Sequence, residues 1–277
     1  MSALKDRTIF ISGASRGIGR AMALRFARDG ANIVIAAKSA EAHPKLPGTI
    51  HSVAEEVREA GGQALAIQMD VRDDEQVLES MQKAADHFGG IDGVVNNAGA
   101  IKLVNSESLP LKRFDLMMQI NTRAVLSCAK AALPWLKKSS CGHILSLSPP
   151  ISLDPKWFQH YGPYTVTKYG MSMLTISMAA EYQRYGIAVN SLWPQTLIST
   201  AAVEFEGGGK AAMSKGRIPD IMADAAYEIL KTQNCELSGQ ILIDEAILRE
   251  RGVADFEHYR YDKETDKPLM NDLFIDT

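Results

Sequence analysis

The chain has 277 residues, 46% of them hydrophobic and 23% charged, with a formal net charge of −3. Such a chain buries a core without staples, and the small negative charge with no long basic run argues against nucleic acid or an anionic membrane surface as main partner. Cys128, Cys141 and Cys235 are far apart and the six histidines are scattered, so free thiols in a reducing, cytoplasmic compartment are expected, and no metal site.

The first element is a β-branched and aromatic strand, Thr8-Ile9-Phe10-Ile11. It runs into Ser12-Gly13-Ala14-Ser15-Arg16-Gly17-Ile18-Gly19, followed by an apolar-periodic helix to about Asp29, which Gly30 stops. Strand, glycine-rich turn and helix together suit a dinucleotide. Glycines let the backbone approach a pyrophosphate, and the helix N-terminus turns free N–H groups and a positive dipole end toward it. Gly13, Ser15, Arg16, Gly17, Ile18 and Gly19 are therefore the first cofactor candidates.

A second strand, Ile33–Ala37, ends at Lys38-Ser39 with no carboxylate to select a free ribose 2′-hydroxyl. Lys38 and Arg16 are placed to converge on a 2′-phosphate, so NADP is expected over NAD, with NAD possible. Residues 40–48 read as a loop, and a helix follows to about Ala60. A third strand, Ala64–Met69, ends at Asp70-Val71, where a carboxylate suits the adenine amino group. The helix Asp74–Phe88 leads to a strand over Gly93–Val95 that closes in Asn96-Asn97-Ala98-Gly99.

One long helix is predicted from Phe114 to about Leu133, with Asn121 in its first turns and Pro134 kinking or ending it. A fifth strand, His143–Leu147, ends in Ser148-Pro149-Pro150. A helix follows from about Pro163 to Tyr185, then a strand over Ala188–Leu192. Residues 194–217, with Gly207-Gly208-Gly209, show no periodicity and read as a mobile lid-like region. A helix over Asp220–Lys231 and a strand over Gln240–Asp244 complete the alternation. The fold class is α/β, a Rossmann-type doubly wound parallel sheet in a single domain over 1–250. The tail, 251–277, is expected to pack on the surface or on a neighbouring subunit. No signal-peptide pattern precedes the first strand, the last residues match no address signal, and Ser172, Thr175 and Ser177 make the most apolar helix too polar to span a bilayer.

The stretch Tyr164-Thr165-Val166-Thr167-Lys168 carries the chemistry. Four residues of helix place Tyr164 and Lys168 one above the other. A phenol with a pKa near ~10 is too weak an acid to act as a base at neutral pH unless a nearby ammonium favours its phenolate. Such a pair moves a proton to a carbonyl or from an alcohol.

Taken together, Gly13, Gly17 and Gly19, then Asp70, Asn96-Asn97-Ala98-Gly99, Asn121 and Tyr164-x-x-x-Lys168 resemble the short-chain dehydrogenase/reductase family over about residues 5–246. Ser148-Pro149-Pro150, Trp157-Phe158, Trp193-Pro194 and Asp244-Glu245 look like its hydroxysteroid dehydrogenase-like branch, without the sterol-carrier domain that branch can carry. The resemblance implies an NADP(H)-dependent oxidoreductase interconverting an alcohol and its carbonyl. Tyr164 would be the acid/base, and Lys168 would lower its pKa and bind the nicotinamide ribose. Asn121 would hold a water linked to Lys168. Ser148 would bond the substrate oxygen, with Ser152 a second candidate. Asn97, Ala98, Gly99 and Pro194 would line the cofactor. A homodimer or homotetramer on the helices of Asn121 and Tyr164 is implied, with Ala129, Ala131, Ala132, Ala179 and Ala180 as close-packing residues. Met171, Trp157, Phe158 and Trp193 suggest an apolar pocket for a hydrophobic substrate. The alternative is a nucleotide-binding sensor or scaffold with little catalysis.

Overall fold

Seven parallel strands frame the molecule: β1 (Thr8–Ser12), β2 (Asn32–Ala37), β3 (Gln63–Gln68), β4 (Gly93–Asn96), β5 (His143–Ser146), β6 (Ala188–Trp193) and β7 (Ile241–Ile243). Their order is β3-β2-β1-β4-β5-β6-β7 in a computed structural model that describes residues 2–44, 46–206, 208–233, 235–265 and 267–276. The helices are α1 (Gly17–Ala27), α2 (Ile50–Glu59), α3 (Asp74–Phe88), α4 (Leu111–Met117), α5 (Ala124–Leu136), α6 (Lys156–Gln159), α7 (Gly162–Tyr182), α8 (Ala201–Glu206), α9 (Gly209–Met213), α10 (Asp220–Leu230) and α11 (Asp244–Glu250).

Side chains alternate across a strand, so each strand feeds two cores. Ile9, Ile11, Ile33 and Ile35 pack with apolar residues of α1, α2, α10 and α11. Phe10, Val34, Val94, Ile144 and Val189 pack with those of α3, α5 and α7 on the other face. Covering both faces explains why β1, β2, β4, β5 and β6 are buried along their whole length. The sheet order reverses between β1 and β4, the place where an open parallel sheet binds ligands beyond the carboxyl ends of its strands. Ser12 pairs with Asn96 and Asn96 with Ser146, so the segments leaving these three strands start level with one another.

Local signals set the helix ends well where a cap is present. Asp73 accepts from Glu75 and Gln76 N–H at the start of α3, and Gly89 closes it in the left-handed conformation. Elsewhere the structure departs from the sequence reading. The helix expected over 114–133 starts at Leu111 and contains a π-helical segment, Met118–Arg123. The Thr122 hydroxyl there donates to the Thr167 carbonyl at 2.8 Å, and a Cβ on Gly170 would meet Thr122 Cγ2 at 2.7 Å. Close packing against α7 is thus built where the helical turn widens. Pro134 does not end the helix, which runs on to Leu136. Residues 194–217 are not without structure. They hold α8 and α9, and Leu197 N–H donates to Met270 and Arg217 N–H to Leu197, stitching the segment to the tail. Gly207 of the glycine run and Thr277 of the tail lie outside the described residues. The tail expected on the surface is anchored at its end, with Phe274 and Ile275 buried in an aromatic cluster. Among the described residues, no helix is long and apolar enough to cross a membrane.

Candidate active site

The turn after β1 is shaped by contacts that leave no room for side chains. A Cβ on Gly13, whose φ is +68°, would lie 2.8 Å from Ala98 Cα. One on Gly19 would meet the Asn97 amide at 2.5 Å and the Gly13 carbonyl at 2.7 Å. Asn97 Nδ2 donates to the Ser12 and Gly13 carbonyls at 2.9 Å each, and the Ser12 hydroxyl accepts from the Asn97 and Ala98 N–H groups at 3.1 Å. The Asn97 side chain therefore clamps β1 to β4, where the sequence reading had it lining a cofactor. At the start of α1, Arg16 is extended and its side chain does not cap the helix. First-turn N–H groups without a side-chain cap are what an anionic phosphate needs. Ser15 is buried beside them, and half-buried Ile18 packs on the α1-side core.

Cations gather at the end of β2. Arg16 Nη2 donates to Ser39 Oγ at 3.0 Å, while its Nε donates to the Pro47 carbonyl at 3.0 Å. Exposed Lys38 lies 3.5 Å from Asp70. Asp70 is gripped by the Arg72 fork, Nε reaching both of its oxygens at 3.0 Å, and its pKa falls to about 2, first because of Arg72. A carboxylate so engaged differs from the free acceptor expected for an adenine amine. Val71 is buried in the α3-side core, so only its backbone remains for a ligand.

Beyond β4 and β5 stands the second half. The Asn121 side chain bonds Ala100 twice, accepting its N–H at 2.8 Å and donating to its carbonyl at 2.9 Å, and donates to Thr167 Oγ1 at 2.9 Å. It ties the segment after β4 to α7, and Gly99 is placed so that a Cβ would stand 3.6 Å from its Oδ1. Tyr164 and Lys168 are buried one turn apart on α7. The Lys168 ammonium donates to the Leu147 carbonyl, sits 3.4 Å from Met171 Sδ and lies 4.8 Å from the Trp193 ring centre. Met171 otherwise belongs to the α3-side core rather than to an apolar pocket.

Burial dominates the electrostatics of this pair. It pushes the Tyr164 phenol well above its ordinary value, and the Asp272 carboxylate adds to the rise. It pulls Lys168 down to about 7, with Asp272 opposing. The lowered Tyr164 pKa expected from Lys168 does not appear, because low-dielectric surroundings disfavour both charges and the ammonium is turned to Leu147. In this state Tyr164 is a proton holder.

Ser148 is fully buried directly after β5, and its hydroxyl has no hydrogen-bond partner. Ser152 is differently placed: its Oγ accepts from Asp154 N–H at 3.3 Å and its backbone is held both ways by the Tyr169 hydroxyl. Pro194 is buried at the end of β6, and the next N–H, of Gln195, donates to Asp244 at 2.8 Å. Asp244 is buried, which raises its pKa to about 6. A Cβ on Gly17 would find Thr200 Cγ2 at 3.6 Å, so the segment after β6 returns to the glycine turn.

The structure thus brings Gly13, Gly17, Gly19, Asn97, Ser148, Tyr164, Lys168 and Pro194 to one edge of the sheet, with Arg16, Lys38 and Asp70 at its β2–β3 end. Sequence reasoning did not assign Ser12, Ser39, Thr167, Asp272 or Phe274. The hydrophobic pair Phe274-Ile275 in a polar tail was the one signal for the last. Among the described residues, no group of His, Cys, Asp and Glu is placed to hold a metal ion.

Residues 7–206 match the model of the short chain dehydrogenase family. The chain is 53% identical to hydroxysteroid dehydrogenase-like protein 2 of Bos taurus over 269 residues, 97% of this chain and 63% of that protein. It thus spans less than two thirds of the length of this curated relative. A candidate dehydrogenase from Xanthomonas campestris superposes with a TM-score of 0.95 at 48% identity, covering 99% of both chains. A short chain dehydrogenase homolog from Mycobacterium thermoresistibile gives 0.92 at 47% identity, over 99% of this chain and 96% of the other.

Proposed function

This chain belongs to the short-chain dehydrogenase family, a family that uses NAD(P) cofactors, and from that premise we propose that it is an NADP(H)-dependent oxidoreductase interconverting a hydrophobic alcohol and its carbonyl. One observation carries the reading: a buried Tyr164–Lys168 pair and the unpartnered Ser148 hydroxyl stand at the carboxyl edge of the sheet whose other half ends in the glycine turn. Several features fit a dinucleotide: the tight, side-chain-free turn at Gly13, Gly17 and Gly19, the uncapped start of α1, and the Arg16–Ser39–Lys38 group for a 2′-phosphate. The cofactor supplies hydride chemistry.

The chain's own residues orient the substrate and move the proton. Ser148 Oγ–H donates to the substrate oxygen, satisfying a buried group that otherwise has no partner. The Tyr164 hydroxyl gives its proton to that oxygen in reduction and takes it back in oxidation. Lys168, its ammonium released from the Leu147 carbonyl, binds the nicotinamide ribose and favours the phenolate. Asn121 fixes the segment that closes this space and keeps Lys168 linked to water through the widened turn of the π segment. Trp157, Phe158 and Trp193 make the walls apolar. Ala98, Gly99, Asp70, Val71 and Pro194 line the cofactor through backbone and short side chains.

Residues 1–250 form the dinucleotide-binding and catalytic domain in this reading. A homodimer or homotetramer assembles on α5 and α7. Ala129, Ala132 and Ala179 are spent in the core, but Leu126 on α5 and Val166, Met173 and Ile176 on α7 are exposed. The free thiols of Cys128, Cys141 and Cys235 suit the cytoplasm, which fractionation of cells expressing the full chain would check. The direct test is a panel of apolar alcohols and carbonyls followed by cofactor absorbance with NADP(H) and NAD(H). Turnover of apolar substrates with NADP(H) is expected; turnover confined to polar sugars or acids would refute the substrate class.

A further inference from the structure

The tail end meets the candidate catalytic tyrosine. Phe274 is 1% exposed and its ring lies 5.3–6.3 Å from those of Trp157, Tyr161, Tyr164, Tyr169 and Trp193, nearly parallel to Tyr164 at 27°. Its backbone φ is +69°, in the left-handed region that a bulky side chain rarely adopts. Such a conformation persists only where the surroundings over-determine it, and it gathers at functional sites. Here the neighbours do determine it. Trp193 Nε1 donates to the Leu273 carbonyl at 2.8 Å, Asp272 N–H donates to the Gln195 carbonyl at 3.1 Å, and Lys156 pairs with Asp276 at 2.7 Å. Each bond ties the tail to a segment near Tyr164: the end of β6, the stretch just after it, or α6.

We propose that Phe274 is a specificity-determining residue: it forms the substrate-pocket wall facing Tyr164 and restricts the site to slim, unbranched apolar carbonyl compounds. The inference rests on the function proposed above. A ring that merely anchored the tail would need burial, which Ile275 in the same cluster also has. It would need neither the strained backbone nor a face turned along Tyr164. Half-buried Trp157 and Tyr161 pack against the same cluster and extend this apolar surface toward solvent.

The test uses calorimetric binding of two ketones to the cofactor-saturated full chain, a linear 2-alkanone and a rigid polycyclic ketone, alongside NADPH turnover. The wild type should bind the linear ketone more tightly. Phe274→Ala should shift the affinity ratio toward the polycyclic ketone by tenfold or more, and Phe274→Leu partway. Ile275→Ala, which loosens the same cluster, should lower the melting temperature and leave the ratio unchanged. An unchanged ratio in Phe274→Ala, an equal shift in Ile275→Ala, or no ketone binding to any variant would overturn the inference. Phe274-dependent ketone binding with no NADPH oxidation would uphold the pocket wall and defeat the proposed activity.

Discussion

Replacing Ser148 with alanine separates a site residue from a packing residue by the sign of two effects. The hydroxyl is fully buried and makes no hydrogen bond. A buried polar group left unpaired costs about 1–3 kcal/mol. Removing it loses no bond and opens only a small void, so Ser148→Ala should raise stability by about 1 kcal/mol, or roughly 2–4 °C in a chain of this size. Turnover should move the other way. Losing one donor to a developing oxyanion lowers rate on the order of a hundredfold or more, which is about 2.7 kcal/mol of transition-state stabilisation. Ser152→Ala, by contrast, loses only a turn bond to Asp154 N–H, and should lower stability slightly with little change in turnover. The assays are thermal unfolding and steady-state kinetics on one apolar substrate, with cofactor affinity measured in parallel. Wild-type turnover in Ser148→Ala, or a loss of stability above about 1 kcal/mol, would refute the reasoning, since the hydroxyl would then have a structural partner.

Lys38→Asp should turn the cofactor preference from NADP(H) toward NAD(H), because it replaces a cation beside Arg16 and Ser39 with a carboxylate; equal binding of both cofactors by the unaltered chain in titrations would dispose of the idea. Burial, and then Arg7, hold the His143 pKa down to about 4, so the unfolded chain binds more protons between pH 4 and its ordinary 6.5. Stability from this group is complete above that window and is lost as pH falls through it, by at most ~1.4 kcal/mol per unit; His143→Gln should flatten the pH dependence of unfolding there, and an unchanged slope would contradict it. Light scattering at micromolar concentration should give a dimer or tetramer mass, and Met173→Glu with Ile176→Glu should yield monomers; a monomer mass before substitution would rule out assembly on α7.

Elements with strong local signals were legible from sequence. The helix α3 follows from Asp73 and Gly89 at its ends, and β1, β2 and β5 from apolar runs that a doubly covered sheet requires. The glycine turn was legible because a tight backbone approach leaves a spacing in the sequence. What escaped depends on partners distant in the chain. The π segment at Asn121 reflects its bonds to Ala100 and Thr167, and periodicity carries no record of them. The upward shift of the Tyr164 pKa was not legible, because four-residue spacing places Lys168 near without saying how deeply the pair is buried or where the ammonium turns. Phe274 reaches Tyr164 across 110 residues, a contact that only the anchoring bonds of the tail explain.

The central claim, that Tyr164 moves the proton in a cofactor-dependent hydride-transfer enzyme, is tested most directly by Tyr164→Phe. Cofactor binding, measured by calorimetry, should stay within about threefold of the unaltered chain, since the glycine turn, Arg16 and Lys38 are untouched. Turnover of an apolar carbonyl with NADPH should fall by at least 10²–10⁴-fold, the range for losing a positioned general acid. A variant that binds cofactor and still turns over within tenfold of the starting rate would contradict the account.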